Sequence, residues 1–149
     1  VVLVEADGAK RLPIKIPREE NEPVIPKGSE VCIVCMGIDA VGKTLKEKCF
    51  RYERAYDIFG WKGDHILTCE DVARILTSKY AGLKGVGDVR TVFVINKADR
   101  DTDLEKALEV KKYIEFYCKE SGLKYFRVAI TSYESNREFS DFDFLTEEK

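Results

Sequence analysis

At 149 residues, with 25 Lys plus Arg against 27 Asp plus Glu, the chain carries a net charge of -2. That length suits one domain with a real core, and the charge balance offers no basic excess for nucleic acid or an anionic membrane. No apolar run approaches the ~18 residues of a bilayer span, no signal-peptide pattern is visible, and the five scattered cysteines suit a reduced, cytoplasmic protein.

The chain opens on Val1, inside an apolar run, which leads us to expect that a segment precedes it. Val1–Glu5 reads as a strand that ends in Glu5-Ala6-Asp7-Gly8. An acid at a strand tip is what a Mg²⁺-directing segment of a nucleotide hydrolase requires, because the metal and the β/γ-phosphates lie there. Glu5 and Asp7 are two apart and share one face of an extended chain, which makes them the candidate catalytic pair. The alternative is an edge strand with a solvated turn. Lys10, Arg11 and Lys15 could meet an anion or form a solvated face. Residues 12–30 hold Pro13, Pro17, Pro23 and Pro26, so they are expected to be irregular.

Val31–Met36 reads as the next strand and runs into Gly37-Ile38-Asp39-Ala40-Val41-Gly42-Lys43-Thr44, literally G-x-x-x-x-G-K-T. Leu45, Cys49, Tyr52, Tyr56 and Phe59 then recur at spacings of an amphipathic helix. One reading makes Gly37, Gly42, Lys43 and Thr44 a phosphate loop. Two features oppose it. The acid-tipped strand lies upstream of this segment, whereas phosphate-loop GTPases have the reverse order. Asp39 would also put a carboxylate inside the phosphate cradle.

Residues 60–64 read as a turn. Thr68 caps a helix to about Tyr80, with Asp71 at the capping-box position and Val72, Ile75 and Leu76 inward. Gly82, Gly85 and Gly87 mark a loop. Thr91–Ile95 is a short strand rich in β-branched and aromatic residues, apolar on both faces as in a covered parallel strand. It delivers Asn96-Lys97-Ala98-Asp99 at its carboxyl end, where open α/β sheets place ligand groups. This N-K-x-D tetrapeptide resembles the guanine-reading motif of phosphate-loop GTPases. A carboxylate such as Asp99 can accept from both N1–H and N2–H₂ of guanine, a pair that adenine lacks. Asn96 can bridge to N7, and the Lys97 stem can lie over the base. The bland alternative is a strand with a polar turn.

A long helix should follow, capped by Thr102 with Glu105. Leu104, Ala107, Leu108, Ile114, Tyr117 and Cys118 should lie on one side, and Gly122 should stop the helix. Tyr125–Ile130 is a further strand. Thr131 and Ser132 stand where a GTPase places its last base-contacting loop, one helix and one strand after N-K-x-D, although Tyr133 replaces the usual Lys. Glu134–Lys149 is an acidic tail with Phe139, Phe142 and Phe144. Cys32 and Cys35 should face opposite sides of a strand, which disfavours a chelate. His65 and Cys69 lack the further ligands zinc needs, so no metal centre of this kind is expected.

In order, the segments VEADGAKRLPIK, EPVIP, GIDAVGK, RYE, ILTCEDVARILTS, GLKGV and VFVINKAD resemble the selenium-dependent hydroxylase accessory protein family, known as YqeC. The resemblance runs from Val1 to about Asp99 and more weakly to Ser132. It implies a phosphate-loop NTPase-like fold whose true phosphate loop lies before the VEADGAK strand. The GxDAxGK segment then belongs to the body of the domain, with Thr44 where the family commonly has Pro. It implies a role in maturing selenium-dependent molybdenum hydroxylases, with a hydroxylase or cofactor-biosynthesis protein as partner. It does not supply a reaction.

The combined expectation is a three-layer α/β domain over 1–133 with a mostly parallel sheet, lacking its phosphate-loop unit, followed by the tail 134–149. In the intact protein GTP or another NTP would bind with Mg²⁺, which Asp7 would direct through water with help from Glu5. Asn96, Lys97, Asp99, Thr131 and Ser132 would hold the base. A thiol that handles a selenium species would be Cys49 or Cys69. The alternatives are a self-contained NTPase using Gly37–Thr44, or a docking module without nucleotide turnover.

Overall fold

A computed structural model describes residues 2–132. Val1, Tyr133 and the tail 134–149 lie outside the described residues. The order is β1 (Ile14–Lys15), β2 (Val31–Gly37), a 3-10 turn (Ile38–Ala40), α1 (Leu45–Lys48), β3 (Cys49–Phe50), a 3-10 turn (Tyr52–Arg54) and α2 (Ala55–Phe59). It continues with α3 (Cys69–Thr77), β4 (Arg90–Asn96), α4 (Asp101–Glu120) and β5 (Phe126–Ile130). The main sheet has the order β2-β4-β5, and both pairings are parallel. A small parallel pair, β1 with β3, stands beside it. The protein is thus α/β with parallel sheets, as its sequence leads one to expect.

Strand alternation sorts the main sheet into two faces. Thr91, Phe93 and Ile95 of β4 are buried, and the register sets them beside Cys32, Val34 and Met36 on one side and Phe126, Val128 and Ile130 on the other. This face closes on Val72, Ile75 and Leu76 of α3 and on Ala107, Val110, Ile114 and Cys118 of α4. Phe93 is 0 % exposed, and burying such a ring contributes roughly 1.5–3 kcal/mol. The opposite face carries Val31, Ile33 and Cys35, and Ile33 remains 55 % exposed.

Helix α3 starts as its sequence requires. Thr68 Oγ1 accepts from Asp71 N at 3.1 Å, while Asp71 Oδ2 accepts from Thr68 N at 3.0 Å. It ends at Thr77, short of Tyr80, because the chain folds back and Gly82 N donates to Ile75 O at 2.9 Å. A Cβ on Gly82 would fall 2.2 Å from Leu76 O, so this return needs glycine. Helix α4 begins at Asp101, and Arg100, not Thr102, is its cap residue. Arg100 Nε instead donates to Asp103 Oδ2 at 2.7 Å. Leu108 is exposed, and Val110, absent from the expected stripe, is buried. Gly122 ends the helix at φ 73, with Leu123 N donating to Cys118 O at 2.9 Å.

Two expectations are corrected. Val2–Glu5 forms no strand, and Val2 and Leu3 are 87 % and 86 % exposed. An apolar run becomes a strand only where a neighbour supplies the ladder, and none of the described strands pairs with it. The helix expected after Thr44 is broken into α1, β3, a 3-10 turn and α2. Arg51 sits at φ 62, a left-handed conformation that no helix continues through. Phe50 O is taken by Ile16 N at 3.1 Å, and Cys49–Phe50 pairs with Ile14–Lys15. The proline-rich stretch thus contributes Ile14 and Ile16 to the core.

Candidate functional site

The carboxyl edge of the main sheet is built by register. Gly37 pairs with Asn96, so the G-x-D-A and N-K-x-D segments leave adjacent strands at the same level. The β4–β5 ladder runs on past the strand ends: Thr131 N donates to Ile95 O at 2.8 Å and Ala98 N to Thr131 O at 3.1 Å. Ala98 is buried, so the loop is anchored at its centre. Asn96 Oδ1 accepts from Lys97 N at 2.8 Å and from Thr131 Oγ1 at 3.0 Å. Ser132 Oγ donates to Asp99 Oδ1 at 2.5 Å. Lys97 takes a left-handed φ of 65, uncommon for a side chain of its size. These bonds bring Asn96, Lys97, Asp99, Thr131 and Ser132 into one group.

The segment 37–44 has a different character. Val41 N, Gly42 N and Lys43 N donate to Ile38 O, Leu67 O and Ala40 O at 3.1, 2.8 and 3.2 Å. Thr44 N donates to Glu47 Oε2 at 3.2 Å, and Leu45 N and Lys46 N donate to His65 O and Gly63 O at 2.8 and 2.9 Å. A phosphate nest needs such N–H groups to converge unpaired on one anion. Here each one is already satisfied by the protein. The helix after it, α1, is only Leu45–Lys48. Asp39 Oδ1 accepts from Lys97 Nζ and Oδ2 from Lys48 Nζ, each at 3.1 Å. Burial acts to raise the Asp39 carboxyl, but the hydrogen bonds from Lys48 and Lys97 outweigh it and hold the group below its ordinary range.

The acids of the opening segment lie in another network. Asp7 is ion-paired with Lys15, whose Nζ also donates to Gly8 O at 3.0 Å and meets Glu22 Oε2 at 3.1 Å. Arg51 completes the cluster through both carboxylate oxygens of Glu22. Arg51 is the main cause that holds the Glu22 carboxyl down at about 2, against an opposing effect of burial. Burial lowers Lys15 more than Glu22 raises it. Lys10, Lys15 and Arg51 also gather over the Phe50 ring. Glu5 is exposed. These donors do not fit a prepared Mg²⁺ site, because a lysine ammonium already neutralises Asp7 where the metal would lie.

The two candidate thiols lie inside the protein. Cys49 and Cys69 are 1 % and 7 % exposed. Burial pushes their thiols up to about 12 and about 11. Both therefore stay protonated and shielded, the reverse of a reactive thiol. Cys32 and Cys35 pair in register with Thr91 and Val94, on opposite faces of the sheet. His65 Nε2 lies 3.0 Å from Asp71 Oδ2, whereas Cys69 Sγ donates towards Lys106 O at 3.8 Å. Those two side chains serve different contacts.

Sequence reasoning missed Asp39 as a partner of Lys97, and it gave Glu22 and Arg51 no role beyond their places in the EPVIP and RYE segments. Asp39 was visible as a misfit in a phosphate cradle. Glu22 and Arg51 are 29 residues apart, and no local pattern joins them.

Among known proteins, the family described as "YqeC protein" matches residues 1–53. "Uncharacterized protein YqeC" of Escherichia coli (strain K12) is 35 % identical over 99 residues, which is 65 % of this chain and 38 % of the relative. The matched part thus spans well under half of that relative. No solved structure matches.

Proposed function

We propose, from the premise that the chain belongs to the YqeC-type family, that its carboxyl sheet edge binds the guanine base of GTP in an accessory protein for selenium-dependent molybdenum hydroxylases. One observation carries the nucleotide part: hydrogen bonds from Thr131 to Asn96 and from Ser132 to Asp99 join two base-loop segments at the ends of neighbouring parallel strands. Asp99 accepts from N1–H and N2–H₂ of guanine. A carboxylate has lone pairs enough to do so while also bonding Ser132. Asn96 spends its carbonyl inside the loop, so its Nδ2 is the end that donates to N7. Lys97 lays its stem along the base. The phosphate grip comes from outside residues 37–44, where the N–H groups from Val41 to Thr44 are already spent. Nucleotide turnover then serves as a clock or loading step, since phosphoryl transfer is driven by positioning and electrostatics. The selenium and molybdenum part of the proposal rests on the family resemblance alone.

Calorimetry with GTP, ATP and XTP, on this chain and on a full-length YqeC-type protein, tests the reading. GTP should bind at least about tenfold tighter than ATP, since two bonds to a charged group at roughly 1.5–3 kcal/mol each exceed that ratio even after losses. Asp99→Asn should move the preference to XTP, because its amide N–H₂ suits the xanthine O2. ATP turnover that is abolished by Lys43→Ala and untouched by Asp99→Ala would overturn the proposal in favour of a phosphate loop at Gly37–Thr44.

A further inference from the structure

We infer that Asp39 is a positioning residue for the base site, holding Lys97 in place from the neighbouring strand, so that the G-x-D-A-x-G-K segment serves the nucleotide through a carboxylate rather than through a phosphate cradle. This rests on the base-binding reading above.

The geometry is specific. β2 and β4 end in register at Gly37 and Asn96, and the chain turns at once on both strands. On β2 the 3-10 turn Ile38–Ala40 has Ile38 and Ala40 buried, with Asp39 between them half-buried. On β4 the left-handed φ of 65 at Lys97 redirects its side chain, which runs across the end of β2 beside Gly37. A Cβ on Gly37 would lie 2.5 Å from Asp39 Oδ1, 3.0 Å from Pro13 Cβ and 3.4 Å from Lys97 Cδ. The glycine is thus the gap through which the two side chains meet. Asp39 Oδ1 then takes Lys97 Nζ at 3.1 Å while Oδ2 holds Lys48 Nζ at 3.1 Å, which anchors the carboxylate to α1.

Stability does not account for this pair. The Asp39 and Lys97 side chains are 37 % and 50 % exposed, and exposed pairs contribute little to folding. What the pair does fix is the direction of a long, otherwise rotatable side chain. Without a partner, four methylenes sample many rotamers, and ordering them on binding lowers affinity. With Asp39 in place, the Lys97 stem is ordered before the base arrives.

The test is a double-mutant cycle on the 149-residue chain, with GMP and GDP as probes and Asp39→Asn and Lys97→Ala as variants. In the wild-type background Asp39→Asn should weaken GMP and GDP by the same factor, about threefold to tenfold, because the effect is borne by the base. In the Lys97→Ala background it should weaken neither. NMR should show faster exchange of the Lys97 ammonium protons in Asp39→Asn. An effect on GDP without one on GMP would overturn the inference, as would an equal loss in the Lys97→Ala background or no loss while wild-type binding persists. Either of the last two results leaves guanine binding itself standing. Absence of guanine binding in the wild type overturns both readings. Should Asp39→Asn fail to fold, Asp39→Glu runs the same cycle, and it should retain more of the affinity than Asp39→Ala.

Discussion

Two loops leave the same sheet edge side by side, and they solve opposite problems. The G-K-T end of residues 37–44 spends its backbone donors within the protein: every N–H from Val41 to Lys46 has a protein acceptor. Residues 96–99 anchor through Ala98 N and Asn96 Oδ1, which leaves the loop braced from beneath with its polar side chains at the sheet edge. The first loop carries the letters of a phosphate-binding motif without its physics. The second carries a short motif together with the supporting bonds from Thr131 and Ser132. What separates them is where the donors point, and that depends on contacts remote in sequence. Leu67, His65 and Gly63 supply the carbonyls that close the first loop.

The contrast can be broken or sharpened by substitution. The largest effect on stability is expected at Gly37→Ala, where the new methyl would meet both Asp39 Oδ1 and Pro13 Cβ. Overpacking of this kind costs about 1–3 kcal/mol, and the displaced Asp39 should also release Lys97. Chemical denaturation measures the first consequence and guanine affinity the second. Unchanged stability would mean that the two loops do not lean on each other.

Gly42→Ala should come next. Gly42 sits at φ 81 with nothing within 4 Å of an added Cβ, so the cost is backbone strain alone, about 1 kcal/mol. In a phosphate loop the same change would also abolish nucleotide binding. Here affinity should stay within about twofold, a change of under 0.5 kcal/mol.

The smallest effect belongs to Lys43→Ala. Its side chain is exposed, and substitutions at such positions stay within about 0.5 kcal/mol. Neither the unfolding midpoint nor GTP affinity should move. A large loss of affinity would promote the segment to a phosphate loop and erase the contrast.

Much of this protein is legible in its sequence. Val31–Gly37, Arg90–Asn96 and Phe126–Ile130 are dense in β-branched and aromatic residues, and turn signals bound them. Local propensity and the global sheet therefore agree, and these strands fall within a residue of their expected ends. The Thr68–Asp71 cap and the stop at Gly122 are equally local, because a cap depends only on residues three or four apart. N-K-x-D at a strand tip could be read for the same reason.

Tertiary structure decided the rest. Val2–Val4 has the composition of a strand, but a strand exists only against a neighbour, and none of the described strands pairs with it. The stripe from Leu45 to Phe59 has helical spacing, yet pairing with Ile14–Lys15 and the left-handed Arg51 outweigh a preference worth a few tenths of a kcal/mol per residue. Asp7 looks like a metal-directing acid until Lys15 is brought onto it. Asp39 looks like a flaw in a phosphate loop until the β2–β4 register places Lys97 beside it. In each case the sequence sets which chemical groups are available, and the long-range contacts set which of them are already satisfied.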